Sequence, residues 1–114
     1  DIVKVTSLDV PDASIRLKDM AKATASMVTK CIDAYVKQDL KLAREVIDSD
    51  DIVDDYFVKI RDEIAIAMKH NPDRIKQYID YLMIIKYLER MADHSTNIAG
   101  WITFVVTGEL DNLK

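Results

Sequence analysis

The sequence predicts an all-α fold, an antiparallel three-helix bundle with long helices. Three observations lead there. Two Gly and two Pro in 114 residues leave few interruptions. Apolar residues recur at alternating steps of three and four along three long stretches, the period of one buried helix face. Capping and turn residues separate the stretches, and no alternating strand pattern competes.

Residues 1–11, DIVKVTSLDVP, carry no sustained helical period and end in Pro11. They read as a linker or the tail of a preceding segment, which leaves residues 12–114 as one bundle. Asp12 reads as an N-cap able to accept from the free amides of a first turn. The stripe behind it is Leu17, Met20, Thr24, Met27, Cys31 and Ala34, so the first helix should run from about Ala13 to Lys37. A turn is expected near Gln38, with Asp39 as the next cap. The second stripe is Ala43, Val46, Asp50, Val53, Phe57, Ile60, Ile64 and Ala67. It ends at HNPD, where Asn71 can cap and Pro72 suits a first helical position. The third is Tyr78, Leu82, Ile85, Glu89, Ala92, Thr96, Ala99, Thr103 and Val106, and Gly108 offers a left-handed stop. Helices this long joined by tight turns fold back and bury their stripes together.

Composition narrows the function classes. A chain 49% hydrophobic and 32% charged is an ordinary globular one, long enough for a modest core. A net charge of −4 argues against a nucleic-acid partner. One Cys forms no internal disulfide, which fits a cytoplasmic setting. No signal peptide is visible. The longest nearly apolar run, Ile98 to Val106, falls short of the roughly 20 residues that span a bilayer, so any membrane association is expected to be peripheral. A chain opening on Asp1 rather than Met reads as a piece of something longer.

The second and third stripes are each interrupted by an acid: Asp50 and Glu89. Each has a second carboxylate four residues on, Asp54 and Asp93, on the same helix face. If the hairpin turns near Asn71, facing positions sum to about 142 at equal rise per residue. Asp50 then lies opposite Ala92 and Asp54 opposite Leu88, so both acid pairs reach one level of the bundle. Like charges that close raise one another's pKa, and partial burial adds to the cost. Protons, Lys or Arg side chains, or a metal ion could neutralise them. Oxygen donors suit hard cations, and His94 is an accessory ligand candidate. The competing reading is a wet groove with ion pairs, Arg90 to Asp93 and Asp55 to Lys59 having the right spacing.

Other constellations are weaker. A four-helix di-iron centre needs Glu-x-x-His, but Met91 precedes His94 and Ala67 precedes His70. Cys31 sits on an apolar stripe, as an inert core thiol does. Ser95 and Thr96 lack the His and acid of a nucleophilic triad. Two Gly make no phosphate loop. A hydrolase reading fails for want of a general base apart from the proposed ligands. Trp101 stands off the third stripe, which marks either a contact with another domain or an ordinary half-buried Trp.

The stretch YLERMADHSTNIAGWITFVVTGE, Tyr87 to Glu109, resembles the signature of the PhoU family of phosphate-uptake regulators. SDDIVDDYF, Ser49 to Phe57, is similar to that family's D-D-x-V-D segment. The resemblance implies a three-helix bundle that binds metal through paired E(D)-x-x-x-D motifs, here Asp50 with Asp54 and Glu89 with Asp93. Asn97 matches a family Asn and is a further accessory candidate. The implied cofactor is iron, manganese, magnesium or zinc. The implied function is non-enzymatic regulation of phosphate transport and signalling. The implied partners are the phosphate ABC transporter's ATPase and a phosphate-sensing histidine kinase, reached from the cytoplasm at the inner face of the membrane. Family members usually carry two bundles in tandem, and this chain has one. It looks like the C-terminal bundle, or a PhoU-like domain at the end of a larger protein such as a phosphate cotransporter, and pairing with a second copy is one expectation. The alternative function is a metal-free interaction or oligomerisation domain.

Overall fold

A computed structural model describes residues 11–108, with side chains from Arg16 onward. Three helices account for nearly all of it: α1, Pro11–Lys37; α2, Leu40–His70; and α3, Ile75–Thr107. They fold back on one another into a rod of 53 × 24 × 18 Å. That length matches α3, whose 33 residues rise about 50 Å at 1.5 Å each. The expected tail over residues 1–10 and the chain beyond Gly108 lie outside the described residues.

Helix α1 begins two residues earlier than its stripe suggested. Pro11 is its first residue, so Asp12 lies inside the first turn and is not the cap. A proline fits there because its fixed φ is already helical and a first-turn position has no use for the missing N–H. The turn after α1 is as expected. Gln38 takes φ +53°, the left-handed region, and its side-chain amide donates to the Tyr35 carbonyl at 2.9 Å. Asp39 caps α2, its Oδ1 accepting from the Leu42 amide at 3.1 Å. Asn71 stands at the cap position before Pro72, as expected, but makes no side-chain bond in that direction. It closes α2, its backbone N–H and side-chain amide both donating to the Ala67 carbonyl at 2.9 and 3.2 Å. Pro72 then opens a single 3-10 turn, Pro72–Arg74, that leads into α3. Gly108 ends α3 at φ +75°, its N–H donating to the Phe104 carbonyl at 2.6 Å.

All six residues of the first stripe are buried. In α2 the fully buried positions are Ala43, Val46, Val53, Ile60 and Ile64, while Asp50, Phe57 and Ala67 are partly covered. In α3 the buried face is turned slightly from the expected one. Tyr81 and Leu88 enter the core, Leu82 and Glu89 stay half-buried at its edge, and Val106 is exposed. The cause is geometric: steps of three and four average 3.5 residues, an α-helix turns every 3.6, and a long stripe drifts by about 20° per heptad. The buried hydroxyls of Thr96 and Thr103 are satisfied within the helix, donating to the Ala92 and Ala99 carbonyls at 3.0 Å. No described helix is long and apolar enough to cross a membrane.

Candidate metal centre

The seam between α2 and α3 changes character along its length. Toward the Asn71 turn it is apolar, with Ile60, Ile64, Tyr78, Tyr81 and Ile85 fully buried. Farther along, acids replace these side chains. Asp50 and Asp54 stand one turn apart on α2, and Asp93 reaches the same level from α3. Each of the three contributes a carboxylate oxygen, and these oxygens all lie within 4.8 Å of one another. Asp50 and Asp54 are half-buried and Asp93 is exposed. The seam therefore holds an all-oxygen cluster that opens to solvent on the α3 side.

Glu89, expected as the fourth member, is not in that group. It is half-buried nearby, with Lys86 at 3.6 Å from its carboxylate. The Lys86 ammonium also sits 5.8 Å from the Phe57 ring centroid. Asn97 and His94 are exposed on α3, and neither is gathered into the oxygen cluster. One residue that the spacing argument did not assign takes part: Thr96, whose Oγ1 lies 3.3 Å from Asp50 Oδ1 and can donate to it. The signal was present, since Thr96 is a hydroxyl on the buried stripe one turn from Asp93. Asp51, outside the stripes, adds negative charge to the group.

The electrostatics follow from this packing. Burial pushes the Asp54 carboxyl up to about 6, and the charges of Asp50, Asp93, Glu89 and Asp51 push the same way. Asp50 is raised by burial and by Asp93, against which the Thr96 hydroxyl bond works by stabilising the ionised form. Burial and mutual repulsion thus make the ionised cluster costly. Basic side chains do not offset that cost: among the described residues the ion pairs are Arg16–Glu63, Lys30–Glu45, Arg61–Asp62 and Lys86–Glu89. The pairs that spacing allowed, Arg90 with Asp93 and Asp55 with Lys59, are not among them. Among the described residues, Asp50, Asp54 and Asp93 thus share a site with no ion-pair partner.

The donor set fits a hard cation. Metal–oxygen bonds of roughly 2.0–2.6 Å place donors on opposite sides of one ion some 4–5 Å apart, and a 4.8 Å span is of that size. Asp50 and Asp54 would hold the α2 side and Asp93 the α3 side, with Thr96 orienting Asp50 as an outer partner.

Comparison with known proteins identifies the family. The PhoU domain matches residues 17–102, most of the chain. A phosphate-specific transport system accessory protein PhoU homolog of Clostridium acetobutylicum is 33% identical over 96 residues, covering 84% of this chain and 44% of that protein. The homolog of Caulobacter vibrioides is 35% identical over 106 residues, covering 92% and 46%. A homolog of Methanothermobacter thermautotrophicus is 32% identical over 93 residues, covering 82% and 42%. The chain thus spans a little under half the length of these relatives. No solved structure matches it. The helical bundle, the two acid motifs and the match over residues 17–102 place this chain in the PhoU family.

Proposed function

We propose that this bundle is a non-enzymatic accessory domain in the regulation of phosphate transport, and that a hard cation held by Asp50, Asp54 and Asp93 clamps α2 to α3. Family membership supports the regulatory part, since the relatives are named as accessory proteins of phosphate-specific transport systems. The observation that carries the metal part is the convergence of three carboxylates, two of them half-buried, with no basic ion-pair partner among the described residues. A bound cation supplies the missing positive charge. The residues do the rest: they join two helices at mid-length and fix the shape of the surface beside the seam. That surface would dock the transporter ATPase and a phosphate-sensing histidine kinase on the cytoplasmic side of the membrane.

A ligand that binds only the folded state raises its stability. The purified domain should therefore retain iron, manganese, magnesium or zinc after incubation and dialysis, and chelator should lower its thermal midpoint. Asp54→Asn should abolish both effects. A domain that retains none of these metals and melts alike with and without chelator rules the clamp out. The competing reading, a metal-free interaction bundle whose acids face a wet groove, predicts no retained metal and a chelator-insensitive midpoint. The docking claim has its own test, co-purification of the domain-bearing protein with the ATPase and with the kinase. Recovery of neither ends that part of the proposal.

A further inference from the structure

A groove of about 470 Å³ runs between α2 and α3, lined by residues of those two helices alone. Phe57 and Leu82, both half-buried, form its floor. One wall is a row on α3: Ile79, Met83 and Tyr87 line the groove, and Ile75 continues the row one turn earlier. These four side chains follow one another at steps of four residues and are exposed by 39–55%. Such a row is the ridge by which one helix packs into another, and it runs for about 18 Å at 1.5 Å per residue. The core face of the same stretch is Tyr78, Tyr81 and Ile85, fully buried, so the row is surplus to the bundle. The rim is cationic. Arg61, Lys86 and Arg90 complete the lining, which includes no acid, in a chain where Asp and Glu outnumber Lys and Arg 20 to 16. The Arg61 guanidinium and Lys86 ammonium stand 5.9 and 5.8 Å from the Phe57 ring centroid, close enough for the ring to hold both at the groove. Each has one acid beside it, Asp62 at 3.2 Å and Glu89 at 3.6 Å. With the cationic side chains more than half exposed, such pairs are weak. Arg90 is in no ion pair among the described residues.

We infer that this groove binds an amphipathic helix of a partner protein, apolar on the side that meets the α3 row and rich in Asp and Glu on its flanks. The inference names the groove and the segment chemistry for the docking reading given above, and rests on that reading only for there being a partner. The row sets the form of the occupant, because ridges at steps of four receive another helix. The rim sets its charge, because three cations with no acid in the lining favour carboxylates and reject a basic segment. The acid cluster sets where the occupant stops. Arg90 lies one turn before Asp93 and Phe57 one turn after Asp54, so acids of a partner that ran past Arg90 would meet the aspartates. Other occupants fit less well. A second copy of the chain brings another basic rim against the first. An anionic membrane presents no ridge to a concave site, and it is held by clusters of about 4–8 basic residues. A small anion leaves the apolar row uncovered.

The probe is a fluorescein-labelled synthetic helix of about 18 residues, longer than the row at 1.5 Å per residue, with Leu along one face and Glu and Ala elsewhere. Titrated with the full chain in chelator, so that the outcome does not depend on the metal clamp, its anisotropy should rise to saturation in the micromolar range. The same peptide with Lys in place of Glu should bind at least about tenfold more weakly. Arg90→Glu and, independently, Met83→Glu alter exposed side chains. Each should weaken binding by on the order of tenfold with unchanged helical circular dichroism. Raising salt from about 0.05 M to about 0.5 M should weaken it too. Trp101→Glu, away from the groove, should leave it alone. No binding at hundreds of micromolar, equal binding of the acidic and basic peptides, or an affinity indifferent to both substitutions overturns the inference. So does a chain that binds phosphatidylglycerol vesicles and not the peptide, because the occupant is then a membrane. Co-purification with the ATPase or the kinase that survives Arg90→Glu and Met83→Glu together overturns the groove and leaves the docking reading standing. Peptide binding without co-purification does the reverse.

Discussion

The two halves of the α2/α3 seam are built on the same stripe and solve opposite problems. Near the Asn71 turn, Ile60 and Ile64 meet Tyr78, Tyr81 and Ile85 with almost no surface left to solvent. That half is held by burial and close packing, which need no partner and ignore pH and ionic strength. At mid-length Asp50 and its neighbours Asp54 and Asp93 crowd the edge of that stripe, where they repel one another and lose water with no basic ion-pair partner among the described residues. A chain selected for stability alone would have continued the apolar stripe, because replacing buried charges with well-packed apolar groups is often neutral or stabilising. One half keeps the hairpin closed, and the other leaves a place where something outside the chain can change how firmly it is closed.

That contrast can be broken from either end. The largest effect should come from the oily half: Ile64→Ala should cost about 2–5 kcal/mol in urea unfolding, by the same amount with and without metal. Next, a cation at 100 times its Kd should add about 2.7 kcal/mol to the wild type and nothing to Asp54→Asn, read as the difference between chelated and loaded samples. A smaller effect, of opposite sign in the metal-free protein, concerns pH. Asp54 has a folded pKa of about 6 against an ordinary 3.8, so the folded state holds its proton longer than the unfolded chain does. Its contribution is then fully present below pH 3.8 and is lost as pH rises through about 6. The metal-free thermal midpoint should fall across that window, and Asp54→Asn should flatten the fall. Bound metal should reverse the trend, because protons and cation compete for the same oxygens. The smallest effect lies away from the seam: Gly108→Ala places a side chain at φ +75° and should cost about 1 kcal/mol with the metal response intact.

Much of this was legible in the sequence, for reasons that differ by element. The six residues of the first stripe are all buried, because a helix packed on two neighbours needs one continuous apolar face. Asp39 and Gly108 were readable because capping and left-handed termini depend on local chemistry alone. The level at which the acids meet followed from the hairpin turn and the helical rise. What escaped depends on rotation about the helix axis and on side-chain reach. The drift of the α3 stripe brings Tyr81 and Leu88 inward and leaves Glu89 at the edge, with Lys86 3.6 Å from its carboxylate. Thr96 meets Asp50 across two helices, a contact no single-helix pattern encodes. Pro11 looked like an end and is a beginning, since proline closes off a helix before it and opens one after it equally well.

The lone thiol of Cys31 gives the bundle an internal clock. It is buried on α1 and lies 3.5 Å from the Ser95 carbonyl of α3, beside the level of the aspartates, and burial holds its pKa up. A thiol reagent can reach it only while α1 swings clear of α3, so its labelling rate counts those openings. Cross-linking the other two helices with a cation should slow that rate if the bundle opens as one unit. If α1 detaches alone, the rate should not change, and the clamp is a local fastening rather than a brace for the whole rod.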